Sequence, residues 1–511
     1  MISPAINVTI EQRIIAWLAA QDTEAYLVGG WVRDRLLGRP NYDLDVTVAG
    51  DGLRLARRLA DDFGGSYYPL DEERGTGRAI LEDREEHRLI IDIASFRGLT
   101  PPESSSLGYR PAEAGPAELA ADLADRDFTI NALAVDVRAP EQIIDHHDGL
   151  ADLEARLIRP VSDATIRNDP VRALRAVRQA AQLSFALAPE TTALIRRDGA
   201  AVAQVSGERV RDEVTRLLAL PYAAPSLEQL DNLGLLTVVL PELEPLRDLA
   251  QPPPHHLPAL AHSLETVRAL EHLLAILFSE PQSPSHQLRN LPFLDPLLPF
   301  ASRLQEHLEQ TMSDGRTRLV TLKLAALLHD VGKPAAETVD ETGRIRFLGH
   351  HKAGTMLAVE ALIRLRLSRV EVRLGEIIVR HHMRPLQLAK QKRVSARAVY
   401  RFFRDTGDAG VEVLLHALAD NKATYAPDAQ DEQWPHLVDL VSRMLGDYWE
   451  HQTERVAPVP LIGGSDLLRE FDLQPGPRIG ELLEAVREAQ VSGEVHTREE
   501  AIALVRDRLS E

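Results

Sequence analysis

The spacing of apolar residues changes character near residue 148. Before it, short runs rich in β-branched residues at 25–28, 44–48 and 89–93 are bounded by Gly, Asp or charged residues, a pattern that predicts strands. Between them residues 52–62 carry helical spacing. After it, apolar residues recur three and four apart through 171–183, 209–220 and 319–328, which predicts helix in nearly all of the remainder. The expected class is α+β: a head with a small mixed sheet flanked by helices, then helical domains. Proline-rich stretches at 251–254 and 281–284 mark a linker or domain edge, and a further break falls near 426–434.

Length and composition narrow the picture. A chain of 511 residues is too long for one hydrophobic core, so about three or four units are expected. Hydrophobic residues at 44% with only 5% aromatics imply an aliphatic, mostly helical core. Cysteine is absent, which excludes disulfides, thiolate metal sites and cysteine nucleophiles. Neither a secretory leader pattern nor an apolar run long enough to span a bilayer is visible, so no membrane association and a cytoplasmic location are expected. The net charge of −19 has the wrong sign for simple coating of nucleic acid. Its distribution is uneven: residues 364–404 hold twelve Lys and Arg against Glu371 and Glu376, enough for a local basic surface or for a solvated helical face.

Candidate chemistry begins at Gly29-Gly30-Trp31-Val32-Arg33-Asp34, which follows an expected strand and opens an expected helix. Paired glycines there let phosphate approach backbone N–H groups, although a plain tight turn has the same appearance. Asp43 and Asp45 follow in Asn41-Tyr42-Asp43-Leu44-Asp45. Residues two apart on a strand project from one face, so the pair can share divalent cations as phosphoryl transfer requires. Solvent-facing acids on an edge strand are the competing explanation.

The combination separates these explanations. Those two motifs, then Arg126-Asp127-Phe128-Thr129-Ile130-Asn131-Ala132-Leu133, then Asn168-Asp169-Pro170-Val171-Arg172, resemble in content and order the class II tRNA nucleotidyltransferases and bacterial poly(A) polymerases. The resemblance covers roughly residues 20–240 and continues more weakly beyond. It implies that Asp43 and Asp45 are catalytic and bind Mg²⁺. It further implies that Gly29, Gly30, Arg33, Asp34, Arg126, Asp127, Asn131 and Arg175 serve nucleotide binding or order the head, and that Asp169 and Arg172 read the incoming base. An Asp accepting from an exocyclic amine beside an Arg donor suits cytosine and adenine alike. Asp125 and Asn168 stand where the family usually has Arg and Glu. Asp92 is either a third carboxylate from a neighbouring strand or a solvent-facing acid.

Farther on, His262, the adjacent His329 and Asp330, the doublets His350-His351 and His381-His382, and Asp420 fall on separate expected helices. Imidazole and carboxylate converging from several helices can build a metal site that activates water. The order resembles the HD superfamily of metal-dependent phosphohydrolases, which implies ligands His262, His329, Asp330, one histidine from each doublet, with His350 and His382 chosen over His351 and His381, and Asp420 for Mg²⁺, Mn²⁺, Ni²⁺ or another transition metal. It also implies hydrolysis at cyclic or 3′-phosphorylated RNA ends. Residues 461–480 read as helix, Gly-Pro turn, helix, similar to the RNA-contacting tail of HD-containing relatives.

The expected organisation is a nucleotidyltransferase head at 1–150, a neck at 151–245, an HD domain at 246–430 and a tail at 431–511. The expected reaction is template-independent addition of CMP, AMP or both from CTP or ATP to an RNA 3′ end, with tRNA as the expected RNA. A poly(A) polymerase adding only A, and an HD hydrolase with a non-catalytic nucleotide-binding head, are the alternatives.

Overall fold

In the computed structural model, which describes residues 9–73, 75–82, 88–96, 116–279, 293–426, 428–429 and 431–510, the chain divides into two units, Met1–Val205 and Ser206–Glu511. The proline-rich break expected at 281–284 lies outside the described residues.

The first unit is built on a seven-stranded sheet. In chain order its strands are β1 (Ala25–Val28), β2 (Asp43–Val48), β3 (Ser66–Asp71), β4 (Thr76–Glu82), β5 (Arg88–Ser95), β6 (Leu133–Asp136) and β7 (Ile143–Asp145). Their order across the sheet is β3-β4-β5-β2-β1-β6-β7. Only β2 and β5 run parallel, so the sheet is mixed, as the class expectation required.

Strand alternation sorts the side chains of β2 and β1 to two faces. Leu27, Leu44, Val46, Ile91 and Ile93 pack on the helices Ile10–Ala19 and Gly52–Phe63, while Tyr26 and Val28 join a smaller core with Leu119 and Leu123. Asp51 caps the helix Gly52–Phe63 by accepting from the Arg54 N–H, and Gly64 ends it in the left-handed conformation.

The three strands expected from sequence are present, β1 with the expected bounds and β2 and β5 slightly longer; β3, β4, β6 and β7 were not anticipated. β3 is an exposed edge strand carrying Pro69, so it lacks the alternation that marks a half-buried strand. β4 does alternate, but Gly75 and Gly77 make its start read as a turn.

Among its described residues the second unit is helical apart from two short antiparallel pairs, Thr311–Ser313 with Arg316–Thr317 and Glu337–Val339 with Ile345–Phe347. A buried ion pair joins the helices Ala259–Phe278 and Arg318–Leu328 and ties them to the start of the helix Ala224–Asn232. Lys323 Nζ lies 2.8 Å from Glu271 Oε1 and donates to the Leu220 carbonyl, while Glu271 accepts from the Ala223 and Ala224 N–H groups. Each buried charge thereby has the partners that its desolvation demands.

Much of the basic run is matched by acids and is not left as an open cationic surface. Arg364 pairs with Glu242, Arg366 with Glu208, Arg373 and Arg380 with Glu376, and Arg384 with Asp405. On the helix Ala396–Thr406, Arg397, Arg401 and Arg404 share one side and meet Glu494, Glu488 and Glu484 at or near the helix Pro477–Val491. Tyr400 donates to Glu484 beside them. The acids come from distant sequence, so a local charge count could not reveal them.

The tail beyond this ladder has its own core of Ile462, Leu467, Leu482, Val486, Ala501 and Val505. Exposed pairs of this kind contribute about 0.2–1 kcal/mol each and weaken with salt. Reversing two of them, Glu484→Lys with Glu488→Lys, should raise amide hydrogen exchange through 477–491 and the facing 396–406 while the tail core keeps its protection. Unchanged exchange would mean that the ladder does not hold the tail.

Candidate functional site

β2 and its neighbours lay a row of charges across the sheet. Asp45 is paired in register with Asp92 of β5, Asp92 with Arg78 of β4, and Asp45 on its other side with Val28 of β1. Arg78 grips Asp92 with both ends of its guanidinium, at 2.7 and 2.8 Å. Asp43 and Asp45 occupy one side of β2, while Leu44 and Val46 between and after them enter the core. Asp43 is exposed and Asp45 half-buried. The Asp45 carboxyl is pushed up to about 6, chiefly by burial and further by Asp92 and Asp43, with Arg126 and Arg33 opposing. A carboxylate in that state gains from an arriving cation.

Gly29 follows β1 directly and adopts φ +70°. A Cβ there would stand 2.8 Å from Asp45 Oδ2 and 2.9 Å from Arg126 Nη1, so glycine is needed for both conformation and space. Arg33, Asp34, Asp127 and Asn131 form one buried network behind this turn. Arg33 forks onto Asp34 at 2.9 Å and donates to Asn131 Oδ1 at 2.7 Å. Asn131 donates to Asp127 and Gln179, and Arg175 reaches Asp127 at 3.2 Å. Burial alone would raise the Asp127 carboxyl, but Arg175 and the bonds from Asn131 and the Phe128 N–H hold it below its usual range. These residues order the turn and the helix Arg172–Leu183. Gly30 sits at the start of the helix Gly30–Leu36.

The expected base-reading pair is arranged differently from a simple open fork. Arg172 is buried and donates to the Asp125 carbonyl at 2.7 Å, and its Nε lies 3.8 Å from Asp169 Oδ2. It therefore anchors the segment that carries Arg126. Asn41, which donates to Asp34, and Arg78 and Gln179 were missed from sequence. Arg78 becomes visible only once β4 is known to lie beside β5.

The second unit brings all six expected HD residues together. His262, His329 and Asp330 offer atoms within 4.8 Å of one another, as do Asp330, His350 and His382, so Asp330 belongs to both groups. His262 Nε2 is 3.0 Å from Asp420 Oδ1, and His329 Nε2 is 3.8 Å from it. His350 and His382 are buried in this cluster, whereas His351 and His381 are partly exposed.

Hydrogen bonding supports a cation among them. The Nδ1 atoms of His329, His350 and His382 lie 2.7–2.8 Å from the carbonyls of Ala326, Phe347 and Val379. A ring that donates from Nδ1 presents a lone pair at Nε2. Yet His350 Nε2 and His382 Nε2 lie 3.2 Å apart, two lone pairs facing each other unless positive charge stands between them. His329 Nε2 and Asp330 Oδ2 are 3.1 Å apart without hydrogen-bond alignment, as ligands aimed at a common point would be. Burial, reinforced by the neighbouring histidines, keeps His382 well below the ordinary imidazole range and thus neutral. Burial would raise Asp330, but His329 when protonated and the Lys333 ammonium hold it well below the usual carboxylate range.

Gly332 permits the turn: a Cβ there would collide with the backbone of His350 and Gly354. Three residues around the cluster escaped the sequence reading. Lys333 contacts Asp330 and Gln251; its signal was the i+3 spacing within the His329-Asp330 motif. His255 stacks edge-on to His262, and His416 lies buried beside His329 and His382 with both ring nitrogens unpartnered. Neither had a motif to mark it. A cavity of about 590 Å³ opens onto Asp330, His350 and Asp420.

Comparison with known proteins agrees with both halves. Residues 25–159 match the poly A polymerase head domain, 184–246 the RNA and SrmB-binding site of polymerase A, 298–424 the HD domain and 449–505 tRNA nucleotidyltransferase domain 2. The A-adding tRNA nucleotidyltransferase of Deinococcus radiodurans is 33% identical over 94% of this chain and 94% of its own. The chain belongs to the tRNA nucleotidyltransferase family.

Within this family the CC-adding enzyme of Thermus thermophilus is likewise 33% identical, over 94% of this chain and 93% of its own, and the multifunctional CCA protein of Halorhodospira halophila is 31% identical over 91% and 95%. In fold, the chain superposes on a CCA-adding enzyme in complex with CTP with a TM-score of 0.62 at 21% identity, over 100% of this chain and 97% of that one. The Thermotoga maritima enzyme complexed with tRNA gives 0.57 at 20% identity, over 99% and 96%. This nucleotidyltransferase carries no helix, among its described residues, long and apolar enough to cross a membrane.

The HD cluster makes a direct prediction for the nucleotidyltransferase. A divalent transition ion at a hundred times its Kd should stabilise the second unit by about 2.7 kcal/mol and raise its melting temperature. Asp330→Asn should bind none by calorimetry, whether or not its own melting temperature changes. Full-strength binding by that variant would remove Asp330 from the site.

Proposed function

We propose that this chain adds CMP, AMP or both from CTP or ATP to the 3′ end of tRNA without a nucleic-acid template, through Asp43 and Asp45. The observation that carries the reading is the placement of both carboxylates on one side of β2, with the Gly29 turn against Asp45. Mg²⁺ held by this pair would activate the attacking 3′-hydroxyl and neutralise the departing pyrophosphate. Around it, Arg126 stands beside Asp45, and the Arg33, Asn131, Asp127 and Arg175 network fixes the turn that the triphosphate approaches. Asp169 and Arg172 are the base-selecting pair in this reading, and Arg172 would have to exchange a backbone carbonyl for the base.

The relatives divide the reaction. A-adding and CC-adding enzymes match equally well at 33%, so overall similarity does not choose between A, CC and complete CCA. The four-part division into head 1–150, neck 151–245, HD 246–430 and tail 431–511 is supported by the separate matches along the chain. We assign the HD cluster a hydrolase role at phosphorylated or cyclic-phosphate RNA ends, with a divalent ion on His262, His329, Asp330, His350, His382 and Asp420.

Incubation with tRNA lacking one, two or three terminal residues, and with labelled CTP or ATP, decides the base question. Label from both nucleotides on the shortest tRNA indicates CCA, label from ATP alone on tRNA ending in CC indicates A addition, and label from CTP alone indicates CC. Asp43→Ala should lower incorporation by more than about a hundredfold, and Asp330→Ala should not. Equal loss in both would refute the assignment of transfer to the head.

A further inference from the structure

The wall of the HD cavity holds more positive charge than one phosphate group needs. Besides the cluster itself, Lys333, Arg344, Arg346 and Lys390 line it. Two of these are engaged already: Lys333 contacts Asp330, and Arg346 pairs with Asp340 at 2.9 Å. The side chains of Arg344 and Lys390 have no carboxylate partner among the described residues. They are exposed and belong to different elements, Arg344 to the turn between Glu337–Val339 and Ile345–Phe347, Lys390 to the end of the helix Met383–Ala389.

The turn is well fixed. Asp340 accepts from the Thr342 N–H, the Thr342 hydroxyl and the Arg344 N–H, so Arg344 projects from an ordered backbone. Apolar surface lies beside these cations: Phe347, Leu348, which is 76% exposed, and Tyr425 line the same cavity. Rings and aliphatic groups next to unpaired cations are the chemistry that grips a base together with its flanking phosphate.

We propose that Arg344 and Lys390 form a subsite for a second phosphate, so that the HD site acts on the end of an RNA chain in preference to a free mononucleotide. This rests on the hydrolase reading of the cluster given above. In the reaction, water adds to phosphorus at a terminal 2′,3′-cyclic phosphate and one P–O bond to the ribose breaks. One proton of the water passes to the released sugar oxygen, and a phosphomonoester with a free neighbouring hydroxyl remains. The phosphodiester one residue upstream lies against Arg344 and Lys390 and is not altered.

The test compares a mononucleoside 2′,3′-cyclic phosphate with a trinucleotide ending in the same cyclic phosphate, using the full chain with Mg²⁺, Mn²⁺ or Ni²⁺ supplied. At low salt the trinucleotide should be favoured about tenfold in kcat/KM, and the preference should shrink as salt screens exposed charge. The double variant Arg344→Ala with Lys390→Ala should lose most of that ratio. Both side chains are exposed, and circular dichroism checks that the variant is folded. Equal turnover of the two compounds, or a ratio unchanged in the double variant, overturns the subsite while leaving the hydrolase reading intact. Absence of turnover for both compounds with every ion overturns the hydrolase reading and the subsite with it.

Discussion

Both sites in this chain bring carboxylates or imidazole lone pairs closer together than their own charges favour, and leave the compensating positive charge incomplete. In the head, the sheet register sets Asp45 beside Asp92 with Asp43 two positions along the same strand, and the fixed cations Arg78 and Arg126 offset only part of the repulsion. In the second unit, Asp330 and Asp420 sit among histidines whose Nδ1 atoms face backbone carbonyls. Such arrangements cost stability unless a cation completes them. The structure around each site supplies that cost: a mixed sheet with cores on both faces in one unit, and a tightly packed helical cluster in the other.

The two sites use different means to hold their geometry. The head relies on strand pairing, which places side chains at fixed spacing whatever their identity, and on a buried polar network running from Arg33 through Asn131 to Arg175. The HD cluster relies on helix ends. His329, His350 and His382 all lie at helix termini, where carbonyls close by in sequence can fix their tautomer. A single close approach protects each site from a side chain in the wrong place, at Gly29 in one and Gly332 in the other.

Much of this was legible in the sequence because the chemistry is local. Asp43 and Asp45 share a face by strand period alone, and adjacent His329 and Asp330 at the end of an apolar helix stand out as polar groups where none is expected. What could not be read depends on contacts between distant segments. Arg78 acquires meaning from the β4–β5 register, and His416 from the packing of its helix against His329 and His382. That Arg172 also donates to the Asp125 and Arg126 carbonyls could not be read either, because it depends on the helix Arg172–Leu183 packing against the segment that carries Arg126. The basic run at 364–404 allowed a basic surface or a solvated helical face, and its arginines are mostly matched by acids from elsewhere in the chain.

The central claim is that Asp43 and Asp45 together hold two divalent ions around a triphosphate. Electron paramagnetic resonance with Mn²⁺ and a non-hydrolysable ATP analogue tests it most directly, in a chain whose HD cluster carries His329→Ala and Asp330→Ala to remove competing sites. Two spin-coupled ions about 3.5–4 Å apart are predicted, reduced to at most one by Asp45→Asn. Two uncoupled ions, or a coupled pair that survives Asp45→Asn, would contradict the account.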